Sequence, residues 1–255
     1  MTTVKPERLD RGAGFGAMLA VHMTRYFAVW FAVIAVGLTV VSFLIALKDW
    51  GEEYTVWGIA TQAGAIFLAI AGGTVLYSLT TTTVAQGMTR REFTKAWTVF
   101  GLLWPPILAV ITIAGNAIEY LILDAMGKTQ SLEGRFADAT AAGSLSDSAV
   151  HSLLSFPIYY LYFFSGSLMG ALIYRWAGNA TLPCAGVILV SLVGFGSAAS
   201  VGTDFGPPPL RPVMEAVGGL GGGIVAWVLV AVIVVGYALA IRRILSDTPL
   251  RSCAS

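Results

Sequence analysis

Six long apolar runs constrain this chain more than any other feature of its sequence. A membrane-spanning helix needs about 20 consecutive apolar residues, and each run reaches that length. The runs are 26–47, 58–79, 97–123, 153–174, 181–201 and 217–241. Backbone groups in hydrocarbon must be hydrogen-bonded within their own segment, and the runs lack the alternating polarity of barrel strands. The sequence therefore predicts an all-α, polytopic membrane protein with six transmembrane helices.

The overall composition leads to the same class of protein. Only 11% of the 255 residues are charged and 56% are hydrophobic, whereas a soluble domain carries about 25% charged residues. Lipid is therefore expected to be the main solvent. The net charge of +1 creates no field that favours nucleic acid, so no nucleic-acid partner is expected. Cys184 and Cys253 show neither disulfide nor metal-ligand spacing, and no metal site is predicted.

The distribution of lysine and arginine predicts the orientation. With a cytoplasmic N-terminus, the inner segments hold 11 basic residues: Lys5, Arg8, Arg11, Arg25, Arg90, Arg91, Lys95, Arg175, Arg242, Arg243 and Arg251. The outer segments then hold four, namely Lys48, Lys128, Arg135 and Arg211. Cytoplasmic loops carry the excess of basic residues, so the N-terminus and the C-terminus are both expected to be cytoplasmic. The first run ends without a small-residue cleavage site, which predicts an uncleaved anchor and a multi-pass protein of the inner (plasma) membrane.

The runs divide the chain into three parts. Residues 1–25 form a cytoplasmic or interfacial amphipathic segment, residues 26–241 the six-helix transmembrane domain, and residues 242–255 a cytoplasmic tail. Within the transmembrane domain, residues 80–96 form a basic inner segment and residues 124–152 the longest outer loop. The sequence does not decide whether that loop carries a short helix.

The segment before the first run carries an apolar stripe at helical spacing. The stripe consists of Phe15, Met18, Leu19, His22, Met23 and Tyr26. Such a stripe is typical of a helix that lies at the membrane surface. The alternative is a plain continuation of the first transmembrane helix into the cytosol.

The inner segment after the second run contains a strong helix-start signal. Thr89-Arg90-Arg91-Glu92 matches the Ser/Thr-x-x-Glu pattern of a capping box, in which the first and fourth side chains bond each other's backbone N–H. Met88 and Phe93 occupy the positions of a hydrophobic staple. Gly87 suits the left-handed residue that ends the preceding helix. A stiff corner is therefore predicted, at which a new helix starts at Arg90 and continues into the third run.

This stretch resembles the inner segment of the permease subunits of ABC type-2 exporters. The resemblance rests on Gly87, Thr89, Arg90, Arg91 and Phe93, placed after the second of six runs. In that family the segment is the coupling helix, which docks onto a separate ATPase subunit. The resemblance implies that residues 87–91, with Phe93, form the ATPase-docking segment here, and that ATP and Mg bind to the partner.

The same resemblance implies a second permease copy or paralogue as a partner, because six helices make half of the usual pathway. It also implies export of a hydrophobic or amphipathic compound, with drug, lipid and peptide left open. The chain departs from many relatives in having its long outer loop between the third and fourth runs.

Other classes of function find less support in the sequence. The six runs contain one charged residue, Glu119, near the outer end of the third, where we expect water to reach it. An ion-coupled carrier would need charge deeper in the membrane. No catalytic grouping and no Gly-x-x-x-x-Gly-Lys-Ser/Thr phosphate loop occurs in the 255 residues, so the chain is predicted not to be an enzyme. The remaining alternative is a structural, regulatory or immunity membrane protein that transports nothing.

Small residues and prolines mark expected helix contacts and bends. The pairs Gly166/Gly170, Gly218/Gly222 and Gly219/Gly223 have Gly-x-x-x-Gly spacing, which allows close helix packing. These contacts could form within one subunit or across a dimer. Pro105 and Pro106 are expected to kink the third helix.

Aromatic residues are concentrated in the fourth run. Tyr159, Tyr160 and Phe163 are candidates for lining a substrate path. The alternative is an aromatic belt at the membrane interface.

Overall fold

The computed structural model describes six stretches of the chain. They are residues 11–48, 55–130, 142–153, 155–176, 179–199 and 223–247. Their helices are α1 Arg11–Leu47, α2 Val56–Ala85, α3 Arg90–Ala125, α4 Leu145–Leu153, α5 Ser155–Trp176, α6 Thr181–Ala199 and α7 Gly223–Asp247. Within these stretches the protein contains helices and no strands, which confirms the all-α class.

Five helices are long and apolar enough to cross a membrane, namely α1, α2, α3, α5 and α7. This finding supports a multi-pass membrane protein. Helix α6, which corresponds to the predicted run 181–201, has 19 described residues and is not among the five. The sixth transmembrane helix therefore stays a prediction.

The N-terminal helix is continuous across the predicted boundary at residue 25. Helix α1 runs for 37 residues from Arg11 to Leu47, so the described part of the N-terminal segment and the first run form one helix. The predicted stripe is only partly its packed face, because Leu19 is buried whereas Met18 and Tyr26 are exposed. The packed face instead contains Gly12 and Gly16.

Two pairs of parallel helices organise the bundle. In the first pair, Gly12 of α1 lies against Glu92 of α3, and Gly16 lies against Ala96. Towards the other end of the same helices, the ring centroids of Phe27 and Trp104 are 6.3 Å apart. Helices α1 and α3, which are not consecutive in the chain, thus run side by side in the same direction.

The second parallel pair is α2 with α5, and its contact is made by glycine. A Cβ added at Gly166 would lie 1.9 Å from the carbonyl oxygen of Ala69, and one at Gly170 would lie 2.4 Å from that of Gly73. The Gly166/Gly170 motif therefore packs two helices of one subunit, which answers the question left open by the sequence for this motif. Gly218, Gly219 and Gly222 lie outside the described residues, and Gly223 begins α7.

Large aromatic side chains fill the space between α3 and α5. The rings of Trp97 and Phe163 stack with centroids 5.6 Å apart, and those of Phe100 and Trp104 stack at 5.2 Å. All four side chains are at most 2% exposed. Aromatic pairs add to the free energy of burial when they pack in this way, so this cluster fixes the middle of α3 against α5.

Pro105 and Pro106 lie inside α3, which continues as one helix from Arg90 to Ala125. Proline lacks the N–H that would bond the carbonyl four residues earlier. For Pro106 that carbonyl belongs to Leu102, and it accepts a hydrogen bond from the Tyr160 hydroxyl at 2.8 Å. The neighbouring helix thus supplies the donor that the proline removes.

Candidate functional site

The corner between α2 and α3, defined here as residues 87–93, has the predicted geometry. Thr89 has extended backbone angles, φ −71° and ψ 151°. Its Oγ1 accepts from the Glu92 N–H at 3.3 Å, and its own N–H donates to Glu92 Oε2 at 2.9 Å. The capping box is therefore confirmed. Gly87 has φ +84°, the left-handed conformation that favours glycine.

The corner is fixed to the rest of the bundle by apolar contacts. Phe93 is 2% exposed and belongs to the core, and the half-buried side chain of Met88 packs against the same core. The Met88 N–H also donates to the carbonyl oxygen of Thr83 in the last turn of α2, at 3.1 Å. These contacts agree with the predicted hydrophobic staple and connect the end of α2 with the start of α3.

The two arginines of the corner have different surroundings. Arg91 is exposed, as are Gly87 and Thr89. Arg90 is half-buried, and its Nη1 donates to the carbonyl oxygen of Ser246 at 3.2 Å. Because Ser246 lies in the last turn of α7, Arg90 places a positive charge at the negative end of that helix dipole. Arg91 is therefore the arginine presented to the surroundings.

Further basic residues lie at the same end of the bundle, which we call the basic end. They are Arg11 of α1, Lys95 of α3, Arg175 of α5, and Arg242 and Arg243 of α7. In the described terminal turns at this end, the acidic residues are Glu92 and Asp247. A surface of this sign attracts an acidic partner surface and speeds its association.

The expectation that water reaches Glu119 is wrong, because its side chain is 2% exposed. Oε1 accepts hydrogen bonds from Ser42 Oγ at 2.9 Å and from the Val56 N–H at 3.0 Å. Oε2 accepts from Thr55 Oγ1 and from Gln130 Nε2 at 3.2 Å. We call these five residues the Glu119 site. It joins the ends of α1, α2 and α3 and the segment after α3, at the end of the bundle opposite to the corner.

The surroundings of the Glu119 site are closely packed. The Trp57 ring lies over Gly115, where an added Cβ would be 2.2 Å from the ring. The Lys128 Nζ donates to the carbonyl oxygen of Ala46, and the Ala142 N–H donates to that of Gln130 at 2.8 Å. Burial of a carboxylate is costly unless donors surround it, and here each oxygen has two.

The Glu119 site cannot be recognised from Glu119 alone, the one charged residue in the six apolar runs. Asn116 lies three residues earlier on the same helix face, and its backbone carbonyl accepts from Gln130 Nε2 at 3.2 Å. Polar residues at adjacent helix ends, namely Ser42 and Thr55, were the available signal. The sequence gives no indication of which of them meet.

The three aromatic candidates for a substrate path lie in or beside the core. Tyr159 is 1% exposed, and its hydroxyl lies 2.7 Å from Thr112 Oγ1. Phe163 is fully buried in the aromatic cluster. Tyr160 is half-buried and bonds Leu102. Their role in a substrate path stays a prediction, and the contacts give each of them a packing role.

Known proteins add no assignment to this geometry. No family model, no curated protein and no solved structure matches the chain.

Proposed function

We propose that the chain is the permease subunit of an ATP-binding cassette exporter, with six transmembrane helices and cytoplasmic termini in the inner (plasma) membrane. A separate ATPase subunit docks on the corner, and a second permease copy or paralogue completes the pathway. The cargo is a hydrophobic or amphipathic compound. The support comes from the apolar helices, the basic end, and the resemblance carried by residues 87–93.

The observation that carries the proposal is the shape and anchoring of the corner. Gly87, Thr89 and Arg91 are exposed, whereas Phe93 is buried in the core. A surface that combines exposed charge with a buried anchor can receive a partner without changing its own conformation. Such preorganisation favours binding because little ordering is needed at the interface.

The corner is also placed to transmit movement. Helix α3 starts in the corner and continues through the bundle to Ala125. Its first turns lie in direct contact with α1 at Gly12 and Gly16, and its first residue, Arg90, contacts the end of α7. A displacement of the corner would therefore move α3 together with α1 and the end of α7.

The source of energy is assigned to another chain. The 255 residues contain no phosphate-binding loop of the Gly-x-x-x-x-Gly-Lys-Ser/Thr type, and such loops hold the phosphates of ATP and its Mg. In the proposed complex, ATP binding and hydrolysis take place on the ATPase, and the corner receives the resulting movement.

Affinity purification from native cells tests the proposal. The wild-type chain should retain a protein with a phosphate-binding loop, identified by mass spectrometry, and the pair should hydrolyse ATP. Arg91→Glu should abolish this association, because it reverses the charge of the exposed arginine while leaving the capping box intact. Arg242→Glu is the matched control, since it reverses an exposed charge at the same end on α7, outside the corner, and the ATPase should remain bound.

Two results would overturn the proposal. One is a pair that survives Arg91→Glu with unchanged ATP hydrolysis. The other is a native chain that retains no ATPase under mild extraction, which would favour a structural, regulatory or immunity protein.

A further inference from the structure

One face of α1 carries exposed apolar side chains along much of the helix. Val29, Val33, Val36 and Val40 recur at intervals of three or four residues and are 50–70% exposed, and this spacing places them on one helix face. A different face of α1 packs against α3. Because α1 is long and apolar enough to cross a membrane, lipid acyl chains are the solvent for the exposed face.

This exposed face ends in a guanidinium group. Arg25 lies four residues before Val29 on the same face and is exposed, and it makes no hydrogen bond or ion pair with another described residue. Tyr26 beside it is 66% exposed, and tyrosine is enriched at membrane–water interfaces. Helix α1 contains no acidic residue, so its own side chains do not neutralise the charge of Arg25.

Helix geometry places Arg25 among the lipid headgroups. The hydrocarbon layer is about 30 Å thick and each headgroup layer about 5–8 Å, and the first apolar run begins directly after Arg25, at residue 26. At about 1.5 Å per residue, Val36 lies about 16 Å from Arg25 along the axis, which is the depth of one leaflet. One phospholipid can therefore cover Val29 to Val36 and place its phosphate at Arg25.

Helix α7 has the same order of groups. Val232, Val235 and Leu239 are 57–62% exposed, and the exposed Arg242 follows them on the same face. The sequence of an apolar lipid-facing stripe and then an arginine thus occurs on two helices at the same end of the bundle.

We propose that Arg25 is a binding site for an anionic phospholipid in the leaflet at the basic end. The guanidinium group binds the headgroup phosphate, which it can contact with two N–H groups, and the acyl chains lie along the exposed face of α1. A zwitterionic lipid binds less well, since its headgroup cation would lie near the same positive charge. One arginine near a membrane surface favours an anionic lipid about fivefold.

The inference goes beyond the proposed function and does not depend on it, because its test uses the full chain without an ATPase or a cargo. The protein is placed in nanodiscs that contain equal amounts of anionic phosphatidylglycerol and zwitterionic phosphatidylcholine. Both leaflets have the same composition, so the result is independent of the orientation of the chain. The photoreactive residue p-benzoylphenylalanine replaces Val29 in one variant and Val40 in another. Val40 lies about 22 Å from Arg25 along the axis, in the opposite leaflet.

The measured quantity is the ratio of phosphatidylglycerol to phosphatidylcholine adducts at each probe, determined by mass spectrometry. Arg25→Gln should lower the ratio at position 29 about fivefold and leave the ratio at position 40 unchanged. Arg11→Gln is the matched control, since it removes an exposed positive charge from the same helix. Arg11 lies about 21 Å beyond Arg25, outside the headgroup layer, so the ratio at position 29 should stay the same.

Three results would contradict the proposal. The first is a ratio at position 29 that Arg25→Gln does not change. The second is an equal fall at position 40 or in Arg11→Gln, which would show a diffuse effect of net charge. The third is a probe at position 29 that links to a second copy of the chain instead of lipid, which would show that this face packs against protein. None of these results bears on ATPase docking, which Arg91→Glu tests separately.

Discussion

The Tyr160 hydroxyl donates a hydrogen bond to the carbonyl oxygen of Leu102 at a distance of 2.8 Å. Leu102 precedes Pro106 by four residues, so its carbonyl has no intrahelical donor. In a membrane no water replaces the missing donor. Helix α5 therefore satisfies a carbonyl group that α3 leaves without a donor, and Tyr160 holds α3 one turn before Pro106.

Tyr160→Phe should destabilise the folded protein by about 1 kcal/mol, because one hydrogen bond is lost and an acceptor is left unsatisfied. The decisive comparison is a double-mutant cycle with Pro106→Ala, which restores the N–H that Leu102 lacks. In the Pro106→Ala background, Tyr160→Phe should lower the free energy of unfolding only slightly. Reversible unfolding in mixed micelles measures all four free energies. Equal costs in both backgrounds would show that Tyr160 does not replace the proline's missing donor.

Gly166→Ala should destabilise the protein by about 1–3 kcal/mol, the usual cost of forcing extra atoms into a packed contact. The added Cβ would meet the carbonyl oxygen of Ala69, a backbone atom that cannot move alone. Gly186→Ala is the matched control, since a Cβ there meets nothing within 4 Å. It should stabilise α6 by up to about 1 kcal/mol. The midpoints of unfolding are measured for both variants. Similar midpoints for Gly166→Ala and Gly186→Ala would argue against the close α2–α5 contact.

Thr89→Ala should cost about 1 kcal/mol, because the first turn of α3 loses its cap. Thr98→Ala is the control, since Thr98 lies within α3 and its hydroxyl bonds only the preceding turn. Thr89→Ser should restore stability. In the proposed complex Thr89→Ala should also weaken ATPase binding while Arg91 remains in place. Binding assays at several temperatures would measure the loss of ATPase affinity. Full binding at every temperature would show that docking does not need the cap.

Phe163→Ala should cost about 3–5 kcal/mol, the usual range for a buried phenylalanine. Its ring stacks on Trp97, and its edge meets Phe100 at 5.5 Å. Phe43→Ala is the control, since Phe43 is 44% exposed and should change stability little. Thermal unfolding monitored by tryptophan fluorescence measures both. A stable Phe163→Ala variant with altered cargo export would instead support the substrate path.

The sequence predicted features that depend on neighbouring residues in the chain. The capping box involves only residues 89–92, and the length and hydropathy of each apolar run are enough to predict a helix there. The Glu119 site could not be predicted in this way, because its partners Ser42, Thr55 and Gln130 are 77, 64 and 11 residues away. Which helix ends meet depends on the packing of the whole bundle, and hydropathy does not encode that.

The packed face of α1 shows the same distinction. Hydrophobic spacing marked the stripe with Met18 and Tyr26, but lipid stabilises exposed apolar side chains as well as a protein core does. The packed face is determined by small residues instead. Gly12 and Gly16 allow the backbones of α1 and α3 to approach, and apolar periodicity does not detect such positions.

The parallel pairing of α1 with α3 and of α2 with α5 has a consequence for biosynthesis. A ribosome delivers helices in chain order, so α1 and α2 enter the bilayer before either has its main partner. The glycine face of α1 can pack only after α3 has been inserted, and the face of α2 around Gly73 can pack only after α5 has been inserted. Nascent chains that stop after the second helix would therefore remain unassembled in the membrane and be exposed to quality-control proteases.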